Sequence, residues 1–540
     1  FNGTTTGLDL NGTELILDAD GDTSITADTD DQIDIKIAGS DKLKIDASSH
    51  LVTTTAGTSN LVLGVNAGNS IQSGGNNNTL VGDEAGTALT TGDNNVAVGF
   101  EALSTEDGNG HNTAIGYRAL KTLNAGSTGL NTAVGKDAGM SSTTATHNTL
   151  IGARAGDAIQ DGGFNTVVGA DAGTELTSGT NNVFVGREAG KSTTTGIKNV
   201  AIGEQALKTN IDGDGLVAIG FEALKVFEPS DGLRYTIGIG YQAGASCTQG
   251  GDNVLIGGNA GDAITDGNNN VAVGSDALGA NVQGDRNVAV GFEALFNANP
   301  SGDVDTENTA VGYQAAYNHT TGTLNVCIGA EAGKGITTGG GNTIIGHSGA
   351  TRNTDLSTGN NNTLIGRETG TSATDASNNN VLGKDVVGSA ENTFTFGIGS
   401  ADSAISTGGT SISAPSDERY KEDIETSTAG LSFINDLRPV TFRWKKEKDL
   451  PSDHRAYVKD SEKRTMNDTH NHGFVAQEVK TAIDAHSELK DGFKMWQADE
   501  RDGRQRIAPA ELIPILTKAV QELSAKNDAL EARIKKLEAK

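Results

Sequence analysis

Asn95-Val-Ala-Val-Gly99-Phe-Glu-Ala102-Leu, Asn131-Thr-Ala-Val-Gly135-Lys-Asp-Ala138-Gly and Asn270-Val-Ala-Val-Gly274-Ser-Asp-Ala277-Leu are three copies of one unit, and that unit decides the fold. A glycine preceded by a short β-type run occurs 19 times from Gly64 to Gly383; 13 of the 18 intervals are 17 residues and the others 18 to 21. Insertions of one to four residues that leave the period intact are what a solenoid tolerates, because each coil touches only its neighbours. Low hydrophobicity with high charge would otherwise suggest disorder, and the repeat excludes that.

Each position in the unit has a readable role. Three consecutive apolar or β-branched residues before the glycine predict a short strand buried on both faces, one in the coil's own core and the other against a partner. The alanine three residues after the glycine suits a narrow interior, and the glycine permits positive φ or close backbone approach. Seventeen of the 19 units have Asn four residues before the glycine, Leu216 and Thr236 being the exceptions. Stacked Asn side chains can bond the turns of adjacent coils, so these are read as structural and not as glycan or ligand sites.

Outward from the repeats, composition splits the chain at Ser416. Of 73 glycines only Gly430, Gly473, Gly492 and Gly503 follow it, whereas both tryptophans, Trp444 and Trp496, do. After it, 23 basic and 24 acidic residues nearly cancel, which leaves almost all of the net charge of −28 on the first 415 residues. An acidic shaft of this kind argues against nucleic acid, which needs clustered Lys and Arg. Parallel acidic shafts would repel at low salt, and surface divalent cations could relieve that; no other cofactor is expected.

Before the repeats, Leu8-Asp-Leu, Leu15-Ile-Leu, Ile33-Asp-Ile-Lys-Ile and Leu43-Lys-Ile alternate like half-buried strands and predict a short β-prism or interwoven β segment. Asp18-Ala-Asp20-Gly-Asp22 resembles the opening of a calcium loop, but Thr29 stands where a bidentate Glu is needed, so these are read as turn residues. A chain beginning at Phe1 reads as a piece of a longer protein. No apolar stretch reaches the ~18 residues that span a membrane, and no secretory signal is visible. Cys247 and Cys327 lie in different coils, which disfavours a disulfide and suggests assembly in a reducing cytoplasm.

After Ser416 the makeup is that of an α+β domain. A short helix is expected at Thr428 to Leu437, a strand at Val440 to Trp444, and a strand at Gly473 to Ala476 feeding a helix from Gln477 to His486. His470 and His472 lack further ligands for a metal site and are read as packing or hydrogen-bonding residues. Trp444 and Trp496 are read as core or interface residues. From Leu516, leucines recur every seven residues at Leu523, Leu530 and Leu537, with Val520, Asn527 and Ile534 between them. That is an a/d coiled-coil seam in which Asn527 fixes register.

Two resemblances follow. The repeats, roughly Asn60 to Gly399, resemble the heads of trimeric autotransporter adhesins and some phage fibre shafts, in which three chains each wind a parallel β-roll; 19 coils at ~4.8 Å per strand spacing would stack to a length on the order of 90 Å. The tracts Ser416-Asp-Glu-Arg419-Tyr-Lys421, Leu437-Arg-Pro-Val-Thr-Phe-Arg-Trp444 and His472-Gly-Phe-Val-Ala-Gln477-Glu-Val479, followed by a coiled coil, resemble the intramolecular chaperone domain of endosialidase tailspikes and tail fibres. That resemblance implies a domain that helps three chains assemble and then cuts itself off, with Ser416 as nucleophile, Lys421 as general base and Pro415–Ser416 as the cleaved bond. A serine hydroxyl needs such a neighbour to take its proton, and a desolvated lysine can do so.

The expected fold class is therefore mainly β. A trimeric parallel β-solenoid shaft of about 17-residue repeats precedes a small α+β domain that ends in a trimeric coiled coil. The expected divisions are an N-terminal β segment (1–55), the shaft (56–400), a linker (401–415), the chaperone and autoprotease domain (416–510) and the coiled coil (511–540). With near-identical coils, a slip of one unit between chains buries nearly the same surface, so a C-terminal clamp would supply the register.

The function expected is a homotrimeric viral tail fibre in the virion, assembled in the host cytoplasm. It would bind a bacterial surface receptor, a glycan or an outer-membrane protein, and other virion tail proteins, with no membrane insertion. Its own enzymology would be a single-turnover serine autopeptidase, with no multiple-turnover activity. Candidate receptor-binding loops are the insertions Phe227 to Arg234, Asn297 to Glu307 and Thr351 to Gly359. A polysaccharide-degrading tailspike is an alternative, disfavoured because no carboxylate pair stands out and the shaft reads as lacking the aromatics that stack on sugars. A bacterial trimeric surface adhesin is another, disfavoured because the chain ends in a coiled coil and not in a membrane-anchoring barrel.

Overall fold

The computed structural model describes residues 15–17, 19, 21–26, 32–38, 40–45, 51–229, 234–302, 304–352, 354–406, 412–413, 416, 418–452, 456–489, 493–498 and 505–539. The chain forms two compact units, Phe1–Pro415 and Ser416–Lys540.

The first unit is dominated by a parallel β-solenoid. Each coil contributes one short strand, beginning with Leu61–Leu63 and Thr79–Val81, and each strand pairs in parallel with the equivalent residues of the next, as in Thr132↔Thr149, Ala133↔Leu150 and Val134↔Ile151. Chain repetition thus becomes register: residues 17 apart in sequence are hydrogen-bonded neighbours. At the last glycine of the series, the strand Asn380–Lys384 pairs with Thr393–Ile398, which then turns back antiparallel to Ala401–Ser406. The stretch read as a linker, 401–415, therefore begins as a strand. A stack of parallel strands ends in an open edge, and this hairpin covers it.

The strands are not buried on both faces within one chain. Only the central residue is fully enclosed, as in Ala97, Leu150 and Phe184, while its two neighbours are half-buried or exposed. A three-residue strand points its middle side chain inward and its flanking pair outward. The coil's own chain covers only the inner face.

That interior is filled by exchange of volume between two positions. Where the strand centre is Ala, as at Ala97, Ala201 or Ala289, the residue four after the glycine is Leu103, Leu207 or Leu295; where it is larger, as at Leu80, Leu150 or Phe184, that residue is Gly86, Gly156 or Gly190. A Cβ on Gly190 would lie 2.7 Å from the Phe184 ring. The exchange also crosses coils: Ala133 is paired with Gly139, and the space there is taken by Leu120 and Leu150 of the two adjacent coils, as dense packing requires.

The repeated glycine is required by close approach. All 19 have φ between +129° and +143°, and a Cβ on any of them would lie 1.8–2.7 Å from the carbonyl oxygen of the corresponding glycine in the next coil, or of Gly397 in the case of Gly383. Two residues later every coil has a non-glycine residue in the left-handed region, such as Glu101, Arg118 or Asp171. That conformation costs about 1 kcal/mol per residue. It also turns the amide toward the preceding coil, where Arg118 N–H donates to the Phe100 carbonyl at 2.9 Å.

The Asn ladder forms as expected and is buried. The Asn165 amide N–H donates to Asn148 Oδ1 at 2.9 Å, and Asn165 Nδ2 donates to the Gly179 carbonyl at 2.9 Å. Each side chain thereby satisfies a backbone donor in its neighbour and a buried acceptor in its own turn. At Leu216 and Thr236 the chain of amides is broken, beside the insertion that contains Phe227.

Ahead of the solenoid, five strands, Leu15–Ile16, Ser24–Thr26, Ile33–Ile37, Ser40–Ile45 and Leu51–Thr53, form an antiparallel meander in chain order. Its apolar residues face outward: Ile33 and Ile37 are 46% and 51% exposed, whereas Ser24, Thr26 and Asp34 are buried. The expected strand at Leu8 and the tract through Asp18 and Asp20 lie outside the described residues.

The second unit packs helix α1 (Leu431–Asp436), helix α2 (Ala476–Ala485) and the start of helix α3 (Leu512–Glu538) around Phe433, Val479, Ile483, Met495, Leu512 and Ile515. Two small antiparallel ladders, Val440–Phe442 with Asn471–Gly473 and Trp496–Ala498 with Gln505–Ile507, complete it. The second strand lies at Asn471–Gly473, two residues ahead of the expected one, because Val475 ends the extended run and starts α2. Glu522 on α3 accepts the Leu431 N–H at 3.0 Å at the start of α1, so the long helix also caps the short one.

Candidate functional site

Ser416 and Lys421 are brought together by local geometry. A single 3₁₀ turn, Glu418–Tyr420, lies between them, and Lys421 N–H donates to the Glu418 carbonyl at 3.0 Å. This tight turn places Lys421 Nζ 2.8 Å from Ser416 Oγ, within hydrogen-bond reach of the hydroxyl. The five-residue spacing in sequence thus becomes a contact through one turn of backbone. Both side chains are exposed, so the described residues of one chain do not supply the exclusion of water that a lysine base calls for. Pro415, the acyl side of the expected scissile bond, lies outside the described residues.

The other side chains singled out in this unit have structural settings. His470 and His472 are exposed, and among the described residues no group of three or more His, Cys, Asp or Glu is placed to hold a metal. Trp496 is half-buried against the unit's core, with Nε1 donating to Gln505 and Lys480 Nζ 5.1 Å above its ring. Trp444 is half-buried edge-on to Phe442. His486 was not singled out in sequence. It packs edge-on to Phe433 between Asp436, 2.8 Å from Nε2, and Glu488, 2.9 Å from Nδ1, and those hydrogen bonds raise its pKa, Asp436 first.

Helix α3 has two faces. Leu512, Ile515 and Ala519 are buried in the unit's own core, whereas Leu516, Val520, Leu523, Leu530, Ile534 and Leu537 are all exposed, Val520 by 64%. The heptad positions therefore form an apolar seam that the unit's described residues leave uncovered, with shallow grooves along it at Ile513–Gln521 and Val520–Leu530. No helix among the described residues is long and apolar enough to cross a membrane.

In the solenoid, the three insertions are tied to neighbouring coils. Gly284–Asp285 pairs with Val304–Asp305, Arg286 forms ion pairs with Asp305 and Glu307, Arg234 Nη1 donates to Asn268, and Arg352 reaches Glu368 and Asp385. Residues 230–233, 303 and 353 of these insertions lie outside the described residues. The expectation of a shaft without aromatics is corrected by the structure. Phe100–Tyr117, Phe221–Tyr241, Phe292–Tyr313 and Phe296–Tyr317 are stacked pairs with centroids 5.3–5.6 Å apart, each formed between adjacent coils. Partners 17 to 21 residues apart do not look like pairs until the repeat is wound. Cys247 and Cys327 are both free and buried in coil interiors, and burial pushes each thiol up to about 12.

Comparison with known proteins adds one finding. Residues 416–487 match the family described as chaperone of endosialidase. Neither the curated proteins nor the solved structures hold a significant match to the chain. The match begins at Ser416, where the second compact unit begins. A chaperone-of-endosialidase domain at the C-terminus, joined to a long parallel β-solenoid, makes this chain consistent with a tail fibre or tailspike-type protein.

Proposed function

We propose that three copies of this chain form a viral tail fibre for host attachment, and that the unit from Ser416 onward aligns them and then severs itself from the shaft. The reading is carried by one coincidence: the family match and the compact unit both start at Ser416, whose hydroxyl is already paired with Lys421. The uncovered apolar seam of α3, the outward apolar face of the N-terminal meander and the half-covered strand faces all fit association of like chains. A register-setting clamp is what a shaft of near-identical coils requires. Its partners would be two further copies, other virion tail proteins and a receptor on a bacterial surface, with assembly in the host cytoplasm.

The chemistry is one turnover. Ser416 Oγ attacks the Pro415 carbonyl carbon while Lys421, neutral and desolvated in the assembled protein, takes the hydroxyl proton. The leaving nitrogen is that of Ser416 itself, so collapse breaks the C–N bond and leaves Pro415 esterified to Oγ with a free Ser416 amine. Water then hydrolyses the ester, giving a Pro415 carboxylate and restoring the hydroxyl. Pro415 lies on the acyl side, so the amide cleaved is an ordinary secondary one. Separation removes the folding aid and makes unfolding effectively irreversible, so the fibre's stability becomes kinetic.

Denaturing gels of wild type, Ser416→Ala and Lys421→Met test this reading. The expected result is release of the 125-residue fragment Ser416–Lys540 from wild type alone; full-length bands in all three would contradict self-cleavage. Samples run with and without heating report separately on the trimer.

A further inference from the structure

The stretch just ahead of Ser416 is tied to the shaft. Beside the closing hairpin of Thr393–Ile398 and Ala401–Ser406, one more residue joins the sheet: Ser413 N–H donates to the Ala404 carbonyl at 2.8 Å, and Ala404 N–H donates to the Ser413 carbonyl at 2.8 Å. Ser413 Oγ donates to the same Ala404 carbonyl at 2.9 Å. The result is a single antiparallel bridge on the outer edge of the hairpin. One pair long and made by an exposed serine, it adds little to a shaft already stacked from 19 coils. Its place in the chain is the informative part, because Ser413 is two residues ahead of Pro415.

Alternate residues of an antiparallel strand face opposite neighbours. Ala404 turns both its N–H and its carbonyl to Ser413, so the strand's bonds to Thr393–Ile398 belong to the residues on either side of it. The bridge thus needs the strand that the hairpin sets, and it can be removed without removing the hairpin. Chain reach does the rest. Two residues span at most ~7 Å, so anchoring Ser413 confines the Pro415 carbonyl carbon to a small volume. Proline fixes its own φ and restricts the residue before it, so Ala414-Pro415 is by composition a stiff tether. Attack by a hydroxyl needs the carbonyl carbon at about 3–3.5 Å and correctly turned, and restricting it before reaction lowers the barrier. The nitrogen side of the same bond is anchored within its own unit, where the turn Glu418–Tyr420 sets Ser416 Oγ beside Lys421.

We propose that Ala404 is a positioning residue for self-cleavage: paired with Ser413, it holds the acyl side of the Pro415–Ser416 bond for attack. The bridge then acts as a checkpoint. In a chain whose last shaft hairpin has not closed, the carbonyl is unanchored and cleavage waits, so the chaperone is kept until the shaft is finished. After the cut, the same pairing retains the new C-terminus on the hairpin's outer edge, where a bare strand would invite pairing with other chains. This inference rests on the self-cleavage reading and adds to it what licenses the cut.

The test is the time course of release of Ser416–Lys540 from the full chain, made by cell-free synthesis and followed on denaturing gels after synthesis is stopped. Ala404→Pro removes the donor and puts a ring carbon against the Ser413 carbonyl, at an N–H that the hairpin does not use. Ser413→Pro removes the opposing donor from outside the hairpin. Each should slow release about tenfold or more, and the double variant should be no slower than the slower single, since both act through one bridge. Ala404→Ser keeps the N–H and should release at the wild-type rate. Protease resistance of the shaft should be equal throughout; if Ala404→Pro lowers it, Ser413→Pro alone decides. Singles that release at the wild-type rate, losses that multiply in the double variant, or a slow Ala404→Ser would each overturn the checkpoint and leave self-cleavage standing. No release from wild type would sink the self-cleavage reading, and this inference with it.

Discussion

The two units of this chain bury their apolar surface to different degrees. In the solenoid nearly every strand centre is enclosed between coils, and backbone, Asn ladder and core volume are satisfied mainly between nearest neighbours. In the second unit only half of the long helix is used, and the heptad positions from Leu516 to Leu537 are exposed among the unit's described residues. Completeness and information are thus divided. The shaft is locally self-sufficient but nearly periodic, so it says little about which coil of one copy should meet which coil of another. The short non-repetitive unit is incomplete alone and, under the proposed function, holds the alignment.

Substitutions should break the two regions in different ways. The largest effect is expected for Gly203→Ala, whose Cβ would lie 2.4 Å from the Gly220 carbonyl oxygen. Backbone cannot yield there, so a loss of more than about 4 kcal/mol is expected, read as insoluble or protease-sensitive shaft. Phe184→Ala should cost about 3–5 kcal/mol by leaving a cavity between two glycines, measured by thermal unfolding of the shaft. Asn165→Ala orphans a buried backbone donor and an acceptor, at about 1–3 kcal/mol each. If any of these instead left the shaft intact and abolished assembly, the division between the regions would be wrong.

Acid sharpens the comparison, since a histidine in each region responds with opposite sign. Burial in a coil interior lowers His319 to about 4. The unfolded chain therefore binds the proton more readily between about pH 6.5 and 4, and shaft stability falls as pH drops through that window, by roughly 3 kcal/mol in full. His319→Leu should flatten that dependence. His486 has a raised pKa, so its contribution is fully present below the unfolded value near 6.5 and is lost as pH rises through the folded one. Acid should loosen the shaft and leave the second unit's pairing intact. Least perturbing of all, Cys247 and Cys327 should resist a maleimide at pH 8 in the folded protein and react once it is unfolded.

Much of this was legible in sequence, for physical reasons that differ by feature. The coil strands, the repeated glycine and the Asn ladder could be read because a solenoid writes contact as periodicity. Ser416 and Lys421 could be paired only through the resemblance to the chaperone family, since five-residue spacing alone is a common chance match; the turn that joins them appears in the structure. The left-handed residue two positions after each glycine went unread, since Glu101, Arg118 and Asp171 share no side-chain type there. Alternation at Ile33 to Ile37 marked two faces but not which one the chain covers; the covered one holds Asp34. The stacked pair Phe296–Tyr317 was missed because its members are 21 residues apart, across an insertion that shifts the period.

The most direct test of the account is the molar mass of uncleaved Ser416→Ala protein by light scattering, compared with the same protein carrying Leu523→Asp and Leu530→Asp. The account predicts a trimer for the first, and for the second, monomers or misaligned aggregates with shaft β-structure retained. A well-defined trimer from the seam variant would contradict it.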